Sequence, residues 1–153
     1  MSSPVTPHSG AAIFFTSDHR ACDAAWALVE AAADANDAPR ALEAFTHFDA
    51  VTRRHLGLEE EVLFPAFEAA TGMTMGPTQM MRLEHVRMRG MLDQLAIAAR
   101  NDLQALIDQG DTLLMFTQQH NAKEECVLYP MTDSALRAQW SDVAGRIAQA
   151  LAS

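Results

Sequence analysis

The chain has 153 residues, of which 49% are hydrophobic and 20% charged, so it is long and apolar enough to fold as one globular domain. Its net charge of −9 argues against a nucleic-acid partner, and its few Lys and Arg residues form no basic stretch for an anionic membrane surface. No apolar run approaches the roughly 20 residues of a membrane span. Because the N-terminus lacks a signal-peptide pattern and the two cysteines make no disulfide framework, we expect a cytoplasmic protein.

The first half of the chain predicts an irregular arm followed by two helices. Residues 1–12 contain two prolines and a glycine and favour the arm. Ser17 and Asp18 suit the N-cap of a first helix, whose apolar stripe includes Leu28. A proline in the first turn after Asp37 then indicates the start of a second helix.

The second half of the chain predicts two more long helices and a short one. Glycines and a proline mark a break at 72–77, and a third helix should follow over about 78–100 with Leu83 in its apolar stripe. Asp102 suits the cap of a fourth helix, and Asp133 that of a terminal helix. Short connections between long helices are typical of an antiparallel bundle.

We therefore predict an all-α fold, an antiparallel up-down four-helix bundle with an N-terminal arm and a short fifth helix. The whole chain, 1–153, is interpreted as one domain, with the bundle over 14–132 and the terminal helix over 134–152. Pro65 should kink or end the second helix, because its ring clashes with the carbonyl of Glu61.

A twelve-residue segment occurs twice in the chain, starting at His55 and again at His120. Six of its positions are identical, and in both copies the His is followed four residues later by a Glu, Glu59 and Glu124. Residues i and i+4 share one face of a helix, so each pair can supply two ligands to one site. Apolar residues one turn before each His and one turn after each Glu indicate that this face points into the core.

The remaining two helices each contribute one histidine. His19 lies 36 residues before His55, and His85 lies 35 residues before His120. Two carboxylates in one core are costly because of desolvation and mutual repulsion, and cations remove that cost. Two first-row metal ions suit this set, with two His on each ion and both Glu as bridges. The predicted ligands are His19, His55, Glu59, His85, His120 and Glu124.

The donor types leave some choices open. Imidazole with carboxylate is acceptable to iron, manganese and zinc, and spare coordination room favours two iron ions with oxygen chemistry. Glu60 and Glu125 are interpreted as solvated or outer residues, either of which could replace its neighbour as a ligand. Asp18 and Glu84 could orient a ligand His on another helix, with capping as the alternative for Asp18.

The ligand pattern, with the echoing tails Glu-Glu-Glu-Val-Leu-Phe-Pro and Glu-Glu-Cys-Val-Leu-Tyr-Pro, resembles the hemerythrin-like family, the HHE cation-binding domains. The resemblance spans about residues 14 to 132. It implies a four-helix bundle around a non-haem di-iron centre, and a role in binding oxygen, sensing oxygen or iron, or handling nitric oxide or peroxides.

This sequence departs from the oxygen carriers of that family. The carriers have a second His one turn from the first on the third helix, whereas Met81 and Arg89 stand four residues either side of His85. We therefore expect a non-haem di-iron protein that binds or senses oxygen or a related small molecule. The alternatives are a di-iron enzyme that reduces peroxide or nitric oxide, and a metal-responsive interaction module with an unknown protein partner.

Overall fold

The computed structural model describes residues 3–153, and every regular element in that range is helical. Two helices continue beyond a single π-helical turn, over Glu59–Leu63 and Glu124–Leu128, so four long rods form the bundle and a short helix follows. The helices are α1 Ala11–Asp34, α2 Ala38–Leu58, α3 Phe64–Thr71, α4 Pro77–Asn101, α5 Leu103–Lys123, α6 Tyr129–Ala135 and α7 Trp140–Ala152. The predicted all-α bundle with a short C-terminal helix is confirmed. Within the described residues, none of these helices combines the length and apolarity needed to cross a membrane.

Side-chain caps set the starts of α2 and α5 as the sequence predicts. The Asp37 side chain accepts a hydrogen bond from the Arg40 backbone N–H at 3.2 Å. Asp102 likewise accepts from the backbone N–H groups of Gln104 and Ala105, at 3.0 and 3.1 Å. Each cap satisfies N–H groups that the first turn of a helix leaves without partners.

The start of α1 differs from the prediction. The helix begins at Ala11, so Ser17 and Asp18 lie inside it and cap nothing, and the last two residues of the predicted arm are helical. The reason is a distant cap: the Asp133 carboxylate accepts the backbone N–H groups of Ala11 at 2.8 Å and Ala12 at 3.2 Å. Asp133 therefore stabilises α1, and the prediction that it caps the terminal helix is wrong.

The terminal helix also begins later than predicted. Residues 134 and 135 complete α6, and α7 starts only at Trp140. The Trp140 indole N–H donates to the backbone carbonyl of Pro7 at 2.9 Å, which ties α7 to the short 3₁₀ turn Pro7–Ser9 of the arm. This hydrogen bond holds the N-terminal arm against the terminal helix.

Pro65 neither ends nor breaks the second rod. The backbone N–H of Phe64 donates to the carbonyl of Glu59, five residues earlier, and the wider turn accommodates the following proline. The same arrangement recurs in the second repeat, where the Tyr129 N–H donates to the carbonyl of Glu124 ahead of Pro130. A π-helical turn therefore begins at the repeated Glu in both copies.

The interior consists of two apolar clusters at opposite ends of the bundle, with a polar layer between them. One cluster is centred on residues such as Trp26, Leu92 and Leu106, and the other on residues such as Phe15 and Phe67. Along each rod, the repeat residues and the single histidines fall between these two sets.

Two residues assigned to the apolar stripes point outward instead. Leu28 is 54% exposed and Leu83 is 63% exposed, so the prediction that they belong to the core is wrong. Other apolar residues of the same helices lie in the interior as predicted: Val29 and Leu92 are fully buried.

Candidate metal centre

The polar layer brings together the six predicted ligands from four helical rods. All of them are buried, with exposed fractions between 0 and 4%. They are His19 on α1, His55 on α2, Glu59 at the start of the first π turn, His85 on α4, His120 on α5, and Glu124 at the start of the second π turn. Charged and polar side chains at this depth require partners or a bound cation.

Glu59 lies between histidines of the two halves of the repeat. Its Oε1 atom is 3.1 Å from Nε2 of His55 and 3.4 Å from Nε2 of His85. Since His55 is four residues before Glu59, the first distance follows from helical periodicity. The second comes from the packing of α4 against this rod.

Glu124 repeats this arrangement in the other half. Its Oε1 atom is 3.1 Å from Nε2 of His19 and 3.2 Å from Nε2 of His120. Each carboxylate therefore touches one imidazole from each half, as a bridging group would.

The donor atoms define two overlapping positions at which a cation could be held. In each group, the atoms lie within 4.8 Å of one another. Glu124 belongs to both groups, and each group contains two imidazoles. The groups are His19, His55 and Glu124, and Glu59, His85, His120 and Glu124.

A second layer of carboxylates holds the imidazoles in place. Every one of the four histidines hydrogen bonds through Nδ1 to a carboxylate from another rod, which leaves Nε2 to face the centre. Such contacts fix the tautomer and ring orientation of a metal-binding His. The pairs are His19 with Glu125 at 2.7 Å, His55 with Asp18 at 2.8 Å, His85 with Glu60 at 2.8 Å, and His120 with Glu84 at 2.9 Å.

These contacts assign places to the acidic residues that the sequence left open. Glu60 and Glu125 lie on the outer, Nδ1 side of the histidines and take cationic partners there. Arg89 donates to both oxygens of Glu60 at 3.0 and 3.1 Å, and Arg20 donates to both oxygens of Glu125 at 2.8 and 3.1 Å. Both carboxylates are therefore occupied away from the centre.

Burial and mutual repulsion set the charge states of the two central carboxylates. Burial and the charge of Glu59 together raise the pKa of Glu124 well above its ordinary value. Burial acts on Glu59 as well, but the charge of His55 holds its pKa well below the ordinary value. Burial, with the charge of His55, lowers the pKa of His19 to about 2. Without a cation, the raised pKa of Glu124 thus favours the protonated form of that carboxyl group.

The centre also contains atoms that the protein itself does not satisfy. Within residues 3–153, five buried donor or acceptor atoms of the cluster make no hydrogen bond of acceptable geometry, although some lie close together: Nε2 of His55, His85 and His120, Oε1 of Glu59 and Oε2 of Glu124. Buried polar atoms are nearly always paired, so these orphans call for an explanation. Imidazole and carboxylate donors aimed at a common space fit a bound cation.

Tyr129 also reaches the centre, although the sequence did not indicate it. Its side chain is fully buried, and its hydroxyl oxygen lies 2.8 Å from Oε2 of Glu59, 3.1 Å from Oε1 of Glu124 and 3.1 Å from Nε2 of His19. In the first repeat this position is Phe64, which has no hydroxyl. This difference between Phe64 and Tyr129 is the one feature of the sequence that could have indicated a special role for Tyr129.

An all-helical bundle that buries four histidines and two glutamates around two candidate cation positions belongs to the class of helical-bundle metal proteins. A model of the hemerythrin HHE cation binding domain family matches residues 12–148, nearly the whole chain, and the chain therefore belongs to that family. Comparisons with curated proteins and with solved structures found no match. The family match and the buried His/Glu cluster together support cation binding.

Proposed function

We propose that this protein is a non-haem di-iron protein whose buried centre binds or senses oxygen or a related small molecule. One observation carries the proposal: four imidazole Nε2 atoms and two carboxylates converge between two apolar clusters, and most of them have no partner of their own. Family membership supports the cation but does not specify the metal.

The distribution of donors supports two ions. Each candidate position has two imidazoles. Glu124 belongs to both positions, and Glu59 belongs to that of His85 and His120 while its Oε1 atom also lies 3.1 Å from Nε2 of His55. The four imidazoles form two close pairs, His19 with His55 and His85 with His120, with ring centroids 4.6 and 4.9 Å apart, so each ion would take one pair. The surrounding carboxylates hold these imidazoles in place before any cation arrives.

Iron is the metal that the donor set and the environment favour. Imidazole with carboxylate suits iron, manganese and zinc alike, and two anionic oxygen donors favour the harder ions. In its reduced state, iron supplies the capacity to bind oxygen or nitric oxide. The apolar clusters above and below the layer limit access of water to the centre.

The positions beside His85 support a role other than that of an oxygen carrier. Met81 is buried in an apolar cluster, and Arg89 points to Glu60, so neither provides a further imidazole to the centre. With fewer histidines, more coordination sites are free for solvent or a small molecule. We therefore favour binding for sensing or small-molecule handling.

Metal analysis after loading with Fe(II) tests this proposal. We expect about two iron ions per chain, and loss of iron in a His55→Ala variant. His47→Ala is the matched control, because this histidine lies on the same helix with an exposed side chain. Iron well below one per chain, or equal iron in both variants, would contradict the proposal.

Mixing the reduced, iron-loaded protein with oxygen then distinguishes binding from turnover. A stable spectrum that reverses when oxygen is removed supports a binding or sensing role. Rapid consumption of added peroxide or nitric oxide supports the alternative, a di-iron enzyme that reduces these molecules.

A further inference from the structure

Tyr129 is the one hydroxyl-bearing side chain that the structure places within hydrogen-bonding distance of three of the predicted ligands. It is also the single tyrosine of the whole sequence. Its hydroxyl oxygen lies 3.1 Å from Nε2 of His19 and 3.1 Å from Oε1 of Glu124, and these two atoms are themselves 3.1 Å apart. A fourth atom, Oε2 of Glu59, is 2.8 Å away.

The π-helical turn explains why this side chain reaches the centre. In a regular α-helix, a residue five positions after Glu124 would point about 140° away from it around the helix axis. The turn over Glu124–Leu128 replaces the ordinary bond with one from the Tyr129 N–H to the Glu124 carbonyl, which brings both side chains to one face. The ring then packs beside Phe15 and His19, at centroid distances of 5.6 Å from each.

The spacing of these atoms is that of donors sharing one ion. With metal–ligand bonds of about 2.1 Å, donors at neighbouring corners of an octahedron stand about 3 Å apart. The oxygen of Tyr129, Nε2 of His19 and Oε1 of Glu124 form a triangle whose sides are all 3.1 Å. A hydroxyl that only donated a hydrogen bond to one carboxylate would not need to stand equally close to an imidazole nitrogen.

The two halves of the centre differ in this respect. The residue equivalent to Tyr129 in the first repeat is Phe64, whose ring lies 5.5 Å from that of His85. A phenolic oxygen is therefore available on the side of His19 and His55, whereas the other side has a hydrocarbon ring at the same place. This difference breaks the approximate twofold relation between the two candidate positions.

We propose that Tyr129 is a ligand, through its phenolate oxygen, of the metal ion held by His19 and His55. The inference rests on the proposed function, since it requires the centre to take up a first-row ion. On binding, the phenol O–H bond breaks, the oxygen–metal bond forms and the proton is released to solvent. Tyrosine is a known iron ligand, and an anionic oxygen donor favours a trivalent ion. The additional donor of this centre is then the oxygen of Tyr129, which lies on the side of His19 and His55, away from His85.

Iron-loaded protein, oxidised to Fe(III), provides the test. Phenolate bound to Fe(III) gives a charge-transfer band in the visible range, and excitation in that band enhances the tyrosine ring modes in a resonance Raman spectrum. Because the chain has one tyrosine, such a signal in the unaltered protein can come only from Tyr129. We expect the band and the ring modes in the unaltered protein, and their complete loss in Tyr129→Phe.

Iron content is measured on the same samples and separates the two proposals. We expect Tyr129→Phe to keep its iron, because the four histidines and two glutamates remain, and its ring matches the natural Phe64. Full iron loading without a phenolate band in the unaltered protein would overturn the role of Tyr129 and leave the di-iron proposal standing. Absence of bound iron in the unaltered protein would overturn both.

Discussion

Replacing Glu124 with glutamine should stabilise the metal-free protein and at the same time remove its metal. Glutamine has nearly the same shape as a protonated carboxyl group and can donate to Glu59 and accept from Tyr129. It lacks only the charge and the titratable proton. Because burial and the charge of Glu59 raise the pKa of Glu124 well above its ordinary value of 4.5, folding without metal favours the protonated form of a group that the unfolded chain ionises more readily.

The size of the effect follows from the cost of holding that proton. For an acid whose pKa is raised by folding, the cost is absent below the unfolded-state pKa and increases as pH rises, by about 1.4 kcal/mol per pH unit. The cost is therefore small near pH 4.5, the ordinary value for Glu124, and larger at neutral pH. The variant avoids this cost, so its gain in the free energy of unfolding should approach zero near the lower pH and increase steadily toward neutral pH.

Urea denaturation followed by far-ultraviolet circular dichroism, in the presence of a chelator and at several pH values, measures this gain. Glu61→Gln is the matched control, because Glu61 is exposed and only two residues from Glu59. We expect the control to change neither stability nor metal content. A Glu124→Gln protein that is less stable than the original at pH 7 without metal, or whose gain in stability does not depend on pH, would show that protonation of Glu124 does not cost the metal-free protein stability.

Three further predictions concern packing, the outer carboxylates and pH. Gly110→Ala should lower the free energy of unfolding by about 1–3 kcal/mol, because the added Cβ would overlap the indole ring of Trp26. The same change at exposed Gly90, where nothing lies within 4 Å of the added Cβ, should raise it by about 0.5–1 kcal/mol, and equal results in thermal melts would contradict this. Asp18→Asn should weaken metal binding about 10–100-fold in a chelator competition, because the charge that orients His55 is lost; unchanged affinity would mean that the contact is not needed. Despite burial, Glu59 and Asp18 raise the pKa of His55 well above its ordinary value of 6.5, so protons compete with the metal for this imidazole. The affinity of the protein for metal should therefore rise with pH through neutrality. A metal affinity that does not change with pH would argue against histidine ligation.

Helical periodicity was sufficient to predict the inner layer of the centre. His55 and Glu59, four residues apart, occupy one face as expected, and the single histidines of α1 and α4 face the same layer. The outer contacts of Asp18 and Glu84 also follow from periodicity, because each side chain points away from the His beside it and toward a neighbouring rod. These contacts depend on the spacing of residues along a helix and on the packing of four helices in a bundle, and the sequence pattern predicts both.

Tyr129 could not be predicted in the same way, because its position depends on a departure from α-helical geometry. At 3.6 residues per turn it should point away from Glu124, and only the π turn brings it back. The prolines at equivalent places, Pro65 and Pro130, did indicate a disturbance in each rod, but not its form. The start of α1 was missed for a different reason: its cap, Asp133, lies at the opposite end of the sequence.

We propose that two metal ions lie in the polar layer between the apolar clusters. An anomalous-scattering map at the iron edge, from crystals of iron-loaded protein, would locate them. We expect two peaks, one beside the Nε2 atoms of His19 and His55 and the other beside those of His85 and His120, with Glu59 and Glu124 between them. A single peak, or peaks away from these side chains, would contradict this proposal.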